Sequence, residues 1–321
     1  MITENTAEKR KLVVLTGQTA VGKTALSIRL AHALDAEIVS ADSVQVYRGM
    51  DIGSAKVREE ETEGVPHHLI SVLDPSEDFD LFRFQSMAKA AVKDIHARGK
   101  IPILSGGTGF YIQSVIYDID LTGNGEDPDL RRKLQEIAYR EGTETLHAIL
   151  AKKDPVSAEQ IHPNNVRKVI RAIEFFEQSG IPISEHNARE RSRESIYDLS
   201  YFVLNRPRAE LYERIDRRVE LMMEEGLVGE VRRLLDAGVR RDGTAMQAIG
   251  YKEIASYLDG GCSLEEAVKE IQTASRHYAK RQLTWFRRER DVQWIELNEH
   301  PDPEELTAYL VRCVKGNDDR S

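Results

Sequence analysis

Cysteine is scarce in this chain: Cys262 and Cys313 are the only two in 321 residues, and they fit no metal or redox spacing. That excludes a disulfide framework, a cysteine zinc site and a thiol redox motif. No apolar run reaches the roughly 18 residues that a membrane-spanning helix requires. Internal repeats and low-complexity tracts are also missing. Residues 1–11 are polar and mixed in charge, without an apolar core, so a short disordered lead and a cytoplasmic protein are expected. An excess of positive charge is lacking as well, since 45 Lys and Arg face 54 Asp and Glu for a net charge of −9. The average hides one exception. Residues 276–290 carry six Lys or Arg and one Glu, a net +5, which leaves room for a polyanionic partner. The remainder is an ordinary soluble composition, 31% charged and 40% hydrophobic, on a length that suits one large domain or two smaller ones.

What is present begins with Gly17-Gln18-Thr19-Ala20-Val21-Gly22-Lys23-Thr24, which fits the phosphate-binding loop pattern. Residues 11–16 before it read as a buried parallel strand, and residues 25–34 after it place Leu26, Leu30, Ala33 and Leu34 on one helical stripe. In that order, backbone N–H groups at a helix N-terminus point at an anion and the helix dipole favours its charge. Lys23 would add a point charge for a phosphate oxygen, and the Thr24 hydroxyl a ligand for Mg²⁺. A di- or triphosphate ligand is expected.

Residues 36–41 read as a second buried strand ending at Asp42. Ligands of a doubly wound sheet sit at the carboxyl ends of its strands, so Asp42 should face the phosphate loop, although a cap or turn role fits that position equally well. A helix is predicted over 82–98 and a third strand over 101–104, which delivers the glycine-rich stretch 105–111 to the same sheet edge. Residues 122–200 are then polar, helical and punctuated by prolines, with Val166, Val169, Ile170, Ile173 and Phe176 inward on a helix over 165–178. Strand character resumes at 201–204. A long helix over 208–237 carries Arg214, Arg217 and Arg218, another spans 264–288, and 292–295 is a late strand. The expected architecture is α/β: a P-loop NTPase-like doubly wound parallel sheet with a helical insertion, divided as core 1–121, insertion 122–200 and core 201–321. Nothing calls for an oligomer, and a monomer is expected.

From the phosphate loop alone, the default is a kinase or ATPase acting on a nucleoside triphosphate. Longer motifs carry a more specific resemblance. The loop 17–24 and the stretch 40–56 resemble the opening of the tRNA dimethylallyltransferases, also called tRNA isopentenyltransferases. His67-His68-Leu69, residues 106–111, 248–253 and 279–285 follow in that family's order, so the likeness runs over nearly the whole chain. It implies transfer of a dimethylallyl group from dimethylallyl diphosphate to N6 of adenosine 37, in tRNAs reading codons that begin with U. The loop would then cradle the diphosphate of a prenyl donor, with Mg²⁺ as cofactor, and no phosphoryl group would move.

The resemblance also implies roles. Asp42 would be the catalytic base, Thr19 would meet both substrates, and Thr24 would hold Mg²⁺. Lys23 and Arg218 would neutralise the leaving group, with Arg214 a competitor for the arginine's place. Asp42, Ser43, Val44 and Gln45 would grip the adenine, and Thr108 would touch tRNA near it. Further tRNA contacts would come from Arg167, Lys168, Val169, Ile170 and Arg171, and from Gln247, Ala248, Ile249, Gly250, Tyr251 and Lys252. Arg131, with Arg132 and Lys133, is a candidate for the anticodon arm or else a solvated helix face. His67 and His68 are expected to be structural. The competing readings are an adenylate isopentenyltransferase acting on free AMP, a P-loop small-molecule kinase and a non-catalytic tRNA-binding protein.

Overall fold

The computed structural model describes residues 9–121 and 127–316. Most of the expected lead, and the boundary expected at 122, lie outside them. The strands are β1 (Lys11–Gly17), β2 (Ala36–Ala41), β3 (His67–His68), β4 (Ile101–Gly106), β5 (Asp198–Asn205) and β6 (Gln293–Glu296). They form one sheet in the order β3-β2-β4-β1-β5-β6, and every pairing is parallel. Parallel strands are covered on both faces and so need continuous apolar runs. Leu12, Val13, Val14 and Leu15 of β1 meet that demand, with no exposed surface. Because β1 lies between β4 and β5, its carboxyl end opens at the middle of the sheet edge, where the chain reverses its strand order.

The chain divides into two compact units, one of residues 1–116 with 196–321 and one of Tyr117–Ser195. In the first unit lie α1 (Lys23–Leu34), α2 (Leu81–Ala97) and α3 (Gly109–Ile116), so α3 begins inside the stretch 105–111. The second unit holds α4 (Pro128–Arg140), α5 (Thr143–Lys153), α6 (Pro155–Gln160), α7 (Val166–Ser179) and α8 (Ile183–Ser192). Back in the first unit are α9 (Arg208–Glu224), α10 (Leu227–Asp236), α11 (Tyr251–Leu258), α12 (Leu264–Phe286) and α13 (Pro303–Lys315). The expected single helix over 208–237 is therefore two. Gly226 between them has φ of +98°, a conformation that ends an α-helix. The chain leaves and rejoins the first unit at neighbouring points, where the Ile196 N–H donates to the Ile116 carbonyl at 3.1 Å.

Strand β3 was not expected. It is two residues long and pairs with Ile38 and Val39 at the sheet edge. His68 Nε2 lies 2.8 Å from the buried carboxylate of Glu37, which also receives the Arg98 guanidinium. Those partners, Arg98 foremost, hold Glu37 down at about 2 despite its burial. Among the described residues no three His, Cys, Asp or Glu side chains gather where they could hold a metal, and no helix is long and apolar enough to cross a membrane.

The helical unit has its own core of Leu134, Leu146, Leu150, Val169, Ile170 and Ile173. This corrects part of the expected tRNA surface. Val169 and Ile170 are buried because they occupy the inward stripe of α7. Arg131 of α4 and Arg171 of α7 both turn to Glu174 of α7, a fully buried carboxylate, at 2.9 and 3.3 Å. An unpaired buried charge is costly, so these guanidinium groups serve the fold. Arg167 and Lys168 are exposed at the start of α7.

Candidate active site

A cavity of about 1010 Å³ opens at the carboxyl ends of the central strands, wholly within the first unit. Thr19, Ala20, Gly22, Lys23 and Thr24 of the phosphate loop form one side. Gly17 at the tip of β1 has φ of +144°, and a Cβ there would lie 2.5 Å from the Leu204 carbonyl oxygen, so only glycine lets the chain leave the sheet at this point. Gln18 and Val21 are buried behind the loop and do not line the cavity.

Lys23 sits at the N-terminus of α1 and donates to the carbonyls of Gly17 and Gln18 at 3.0 and 2.8 Å. Burial, with a smaller contribution from the Arg218 charge, lowers its ammonium to about 7, although Asp42 opposes the shift. A cation so poorly solvated is poised to take a compensating anion. Arg218 on α9 approaches from across the cavity, with Nη1 at 3.4 Å from the Thr19 hydroxyl. One turn earlier, Arg214 donates Nε to the Ala20 carbonyl at 2.9 Å. Both arginines line the cavity, and Arg218 is the one electrostatically coupled to Lys23 and Asp42. Arg217 pairs with Glu220 and is largely exposed.

Asp42, at the end of β2, combines the two roles its sequence position left open. Its Oδ1 accepts the backbone N–H groups of Val44 and Gln45 at 2.8 and 3.2 Å, which shapes the turn, and its carboxylate lines the cavity. Ser43, Val44 and Gln45 line it too, and the Gln45 amide bonds to the Ser54 and Ala55 carbonyls. Gln247, Ala248, Ile249 and Lys252 form another part of the wall. Val219, Leu221 and Met222 of α9, together with Ile271, add an apolar stretch beside the charged groups.

Three expectations do not fit this wall. Gly250 and Tyr251 stand behind it, and Tyr251 has no exposed surface. The Tyr251 hydroxyl donates to Glu230 at 2.8 Å, and Glu230 also accepts the N–H groups of Asp51, Ile52 and Gly53. Tyr251 therefore braces the turn after Met50 rather than offering itself to a ligand. Thr108 also lies outside the cavity lining, with its N–H on the Ala41 carbonyl at 3.3 Å. Conversely, Tyr278, Arg281 and Gln282 of α12 line the cavity and were given no site role from the sequence. Burial and the Asp42 charge push the Tyr278 phenol up to about 12, so it stays a hydroxyl. The signal for Arg281 and Gln282 was the signature 279–285, which starts one residue after Tyr278 and marks a region but not the direction of a side chain.

A phosphate loop at the central strand of an all-parallel sheet, faced by a strand-end carboxylate and a helix arginine, defines a P-loop α/β protein. Residues 45–289 match the family model described as IPP transferase, and residues 10–73 match one described as isopentenyl transferase. The chain belongs to the IPP transferase family and is a prenyl-transferring enzyme. It is 52% identical over 303 residues to a tRNA dimethylallyltransferase of Lachnoclostridium phytofermentans, covering 94% of this chain and 97% of that protein. It is 51% identical over 308 residues to the tRNA dimethylallyltransferase of Bacillus subtilis, with 96% and 98% covered. The crystal structure of a tRNA isopentenylpyrophosphate transferase from Bacillus halodurans superimposes with a TM-score of 0.71 at 44% identity, covering 96% of this chain and 98% of that one. A eukaryotic dimethylallyltransferase acting on tRNA aligns at 33% identity and a TM-score of 0.74, covering 86% of this chain and 69% of that one.

Proposed function

We propose that this enzyme transfers a dimethylallyl group from dimethylallyl diphosphate to N6 of adenosine 37 in tRNAs that read codons beginning with U. The observation that carries the reading is the meeting of Lys23, Arg218 and Asp42 in one cavity that also has an apolar wall. The cations and the loop amides suit a diphosphate, while Leu221, Met222 and Ile271 suit a short branched hydrocarbon. In the reaction the N6 lone pair forms a bond to C1 as the C1–O bond breaks, and the bonding electrons leave with the diphosphate. Fixed dipoles and Lys23 stabilise that developing charge without reorganising, with Arg218 neutralising a leaving-group oxygen. Asp42 accepts the N6 proton late, once nitrogen has gained positive charge and acidity.

The donor set suits Mg²⁺, which takes one or two protein ligands and completes its shell from substrate phosphates and water. Thr24 would hold it through its hydroxyl beside the diphosphate, where the ion would supply Lewis-acid stabilisation of the leaving oxygens. The amine is stacked in the anticodon loop, so the base must be extruded, at a cost of a few kcal/mol. Asp42–Gln45 and Gln247–Ile249 with Lys252, which line the cavity, would receive it, and the exposed Lys280, Arg281, Arg287 and Arg288 would meet phosphates. In the helical unit, the exposed Arg167 and Lys168 would contact tRNA.

The test is prenyl transfer from labelled dimethylallyl diphosphate with Mg²⁺, offered to an unmodified anticodon stem-loop with A37, the same hairpin with G37, and free AMP. Label on the A37 hairpin alone is the expected outcome. Label on AMP would move the enzyme to the adenylate branch, and turnover of ATP without label would make it a kinase.

A further inference from the structure

We infer that Gln282 of α12 is a positioning residue that holds the phosphate loop and the turn 107–108 between β4 and α3 in one fixed relation, an inference that rests on the reaction proposed above. Its side chain is 5% exposed and uses both ends of its amide. Oε1 accepts the Thr19 backbone N–H at 2.8 Å, and Nε2 donates to the Gly107 carbonyl at 2.9 Å. Its partners fix the orientation, since an N–H requires the oxygen and a carbonyl requires the NH₂. A Cβ at Gly107 would lie 2.1 Å from Nε2, so that loop residue must be glycine for the bridge to exist. A second tie runs beside it, from Gln18 Nε2 to the Ala279 carbonyl one turn earlier on α12, at 3.2 Å.

The bridge joins the two halves of the reaction. From Thr19 it passes through Gln282 to Gly107, and the next residue, Thr108, donates its N–H to the Ala41 carbonyl, directly before Asp42. In the proposed reaction, one end of this series would lie against the diphosphate and the other would carry the base. It also turns the Thr19 amide towards α12 and away from any anion in the cavity, and leaves the Thr19 hydroxyl beside Arg218. The allylic C1 and the amine must meet in line at near-attack distance, and an error of about 1 Å costs about 100-fold in rate even where each substrate still binds. Gln282 touches no reacting atom in this scheme. It keeps donor loop and base in register.

The experiment compares wild type, Gln282→Met and Gln282→Glu in steady-state transfer to the A37 hairpin. Alongside, thermal melting and hydrogen exchange at the Thr19 amide are followed in the ligand-free enzymes. Gln282→Met keeps the volume and loses both bonds; Gln282→Glu keeps an acceptor for Thr19 and loses the donor to Gly107. The expected result for Met is kcat per folded molecule reduced about 10- to 100-fold with both KM values within about threefold, and faster exchange at Thr19. Glu is expected between Met and wild type in kcat, with Thr19 still protected. Wild-type kcat in Gln282→Met overturns the inference, as does a loss fully explained by a smaller folded fraction. Should Gln282→Met not fold, Gln282→Glu decides, with an unchanged kcat overturning it and a reduced kcat at an unchanged melting temperature supporting it. Wild type inactive on the A37 hairpin would sink the proposed reaction instead, while Thr19 exchange would still report whether Gln282 holds the loop.

Discussion

Asp42 shows how one carboxylate can shape its own backbone turn and still face the cavity. One oxygen is occupied by the N–H groups of its own turn, which holds the side chain at a fixed angle to the cavity. Asp42→Asn keeps an acceptor for those N–H groups but removes the base. Single-turnover transfer is expected to fall about 10²- to 10⁴-fold, with affinity for the A37 hairpin within about threefold by filter binding. Lys23 makes a different claim. Burial leaves it near neutrality in the free enzyme, at about 7, whereas an ammonium beside a diphosphate is stabilised and its pKa must rise. Binding at pH 8.5 should therefore take up close to one proton, and calorimetry in buffers of different ionisation enthalpy would measure it. Lys23→Met should abolish the uptake. The same shift means that the free enzyme bears a penalty for protonated Lys23 at low pH, which is relieved as pH rises above about 7.

At the level of elements, the sequence made the sheet legible wherever a strand was long and wholly buried. The strands Lys11–Gly17, Ala36–Ala41 and Ile101–Gly106 are such cases, because burial on both faces writes itself as short apolar runs such as residues 12–15, 38–39 and 103–104. β3 was invisible since two histidines at a sheet edge have neither length nor hydrophobicity, and their pairing is decided by Ile38 and Val39 across the gap. The break at Gly226 was written in the sequence, but the apolar period on either side masked it. In the site, the loop and Asp42 were readable because each follows its strand directly. Gln282 and Tyr278 were not, as they reach the cavity from α12, far along the chain from both the loop and Asp42, and only packing brings them there. Tyr251 was misread for the same reason. Motif membership does not say which way a ring points. Tyr251→Phe removes one hydrogen bond to Glu230 and should cost about 1 kcal/mol of stability in urea titration, with hairpin affinity unchanged; a loss of affinity above tenfold would restore Tyr251 to the RNA surface.

For the molecule as a whole, the acidic net charge and the basic stretch 276–290 act at different ranges. Affinity for the hairpin should fall steeply with salt, because bound cations release counterions however acidic the remainder is. A flat plot of log affinity against log salt would remove residues 276–290, Arg167 and Lys168 from the interface. Glu37 sets the behaviour in acid. It joins β2 to His68 of β3 and to Arg98 at the end of α2, and its folded value of about 2 lies below its ordinary 4.5. Its contribution is complete above about 4.5 and is lost as pH falls towards 2. Glu37→Gln should cost about 2 kcal/mol at pH 7, and its deficit relative to wild type should shrink at pH 3 in the same denaturant titration.

The meeting of Ile116 and Ile196 has an evolutionary reading. Where a chain departs from a fold and returns within one hydrogen bond, everything between the two points is a cassette. Its length and surface can drift, shrink or be exchanged without moving a strand of the sheet, because the seam it hangs from stays closed. The surface that the helical unit offers could thus be traded, while the phosphate loop, Asp42 and Arg218, all in the other unit, keep their places around the cavity.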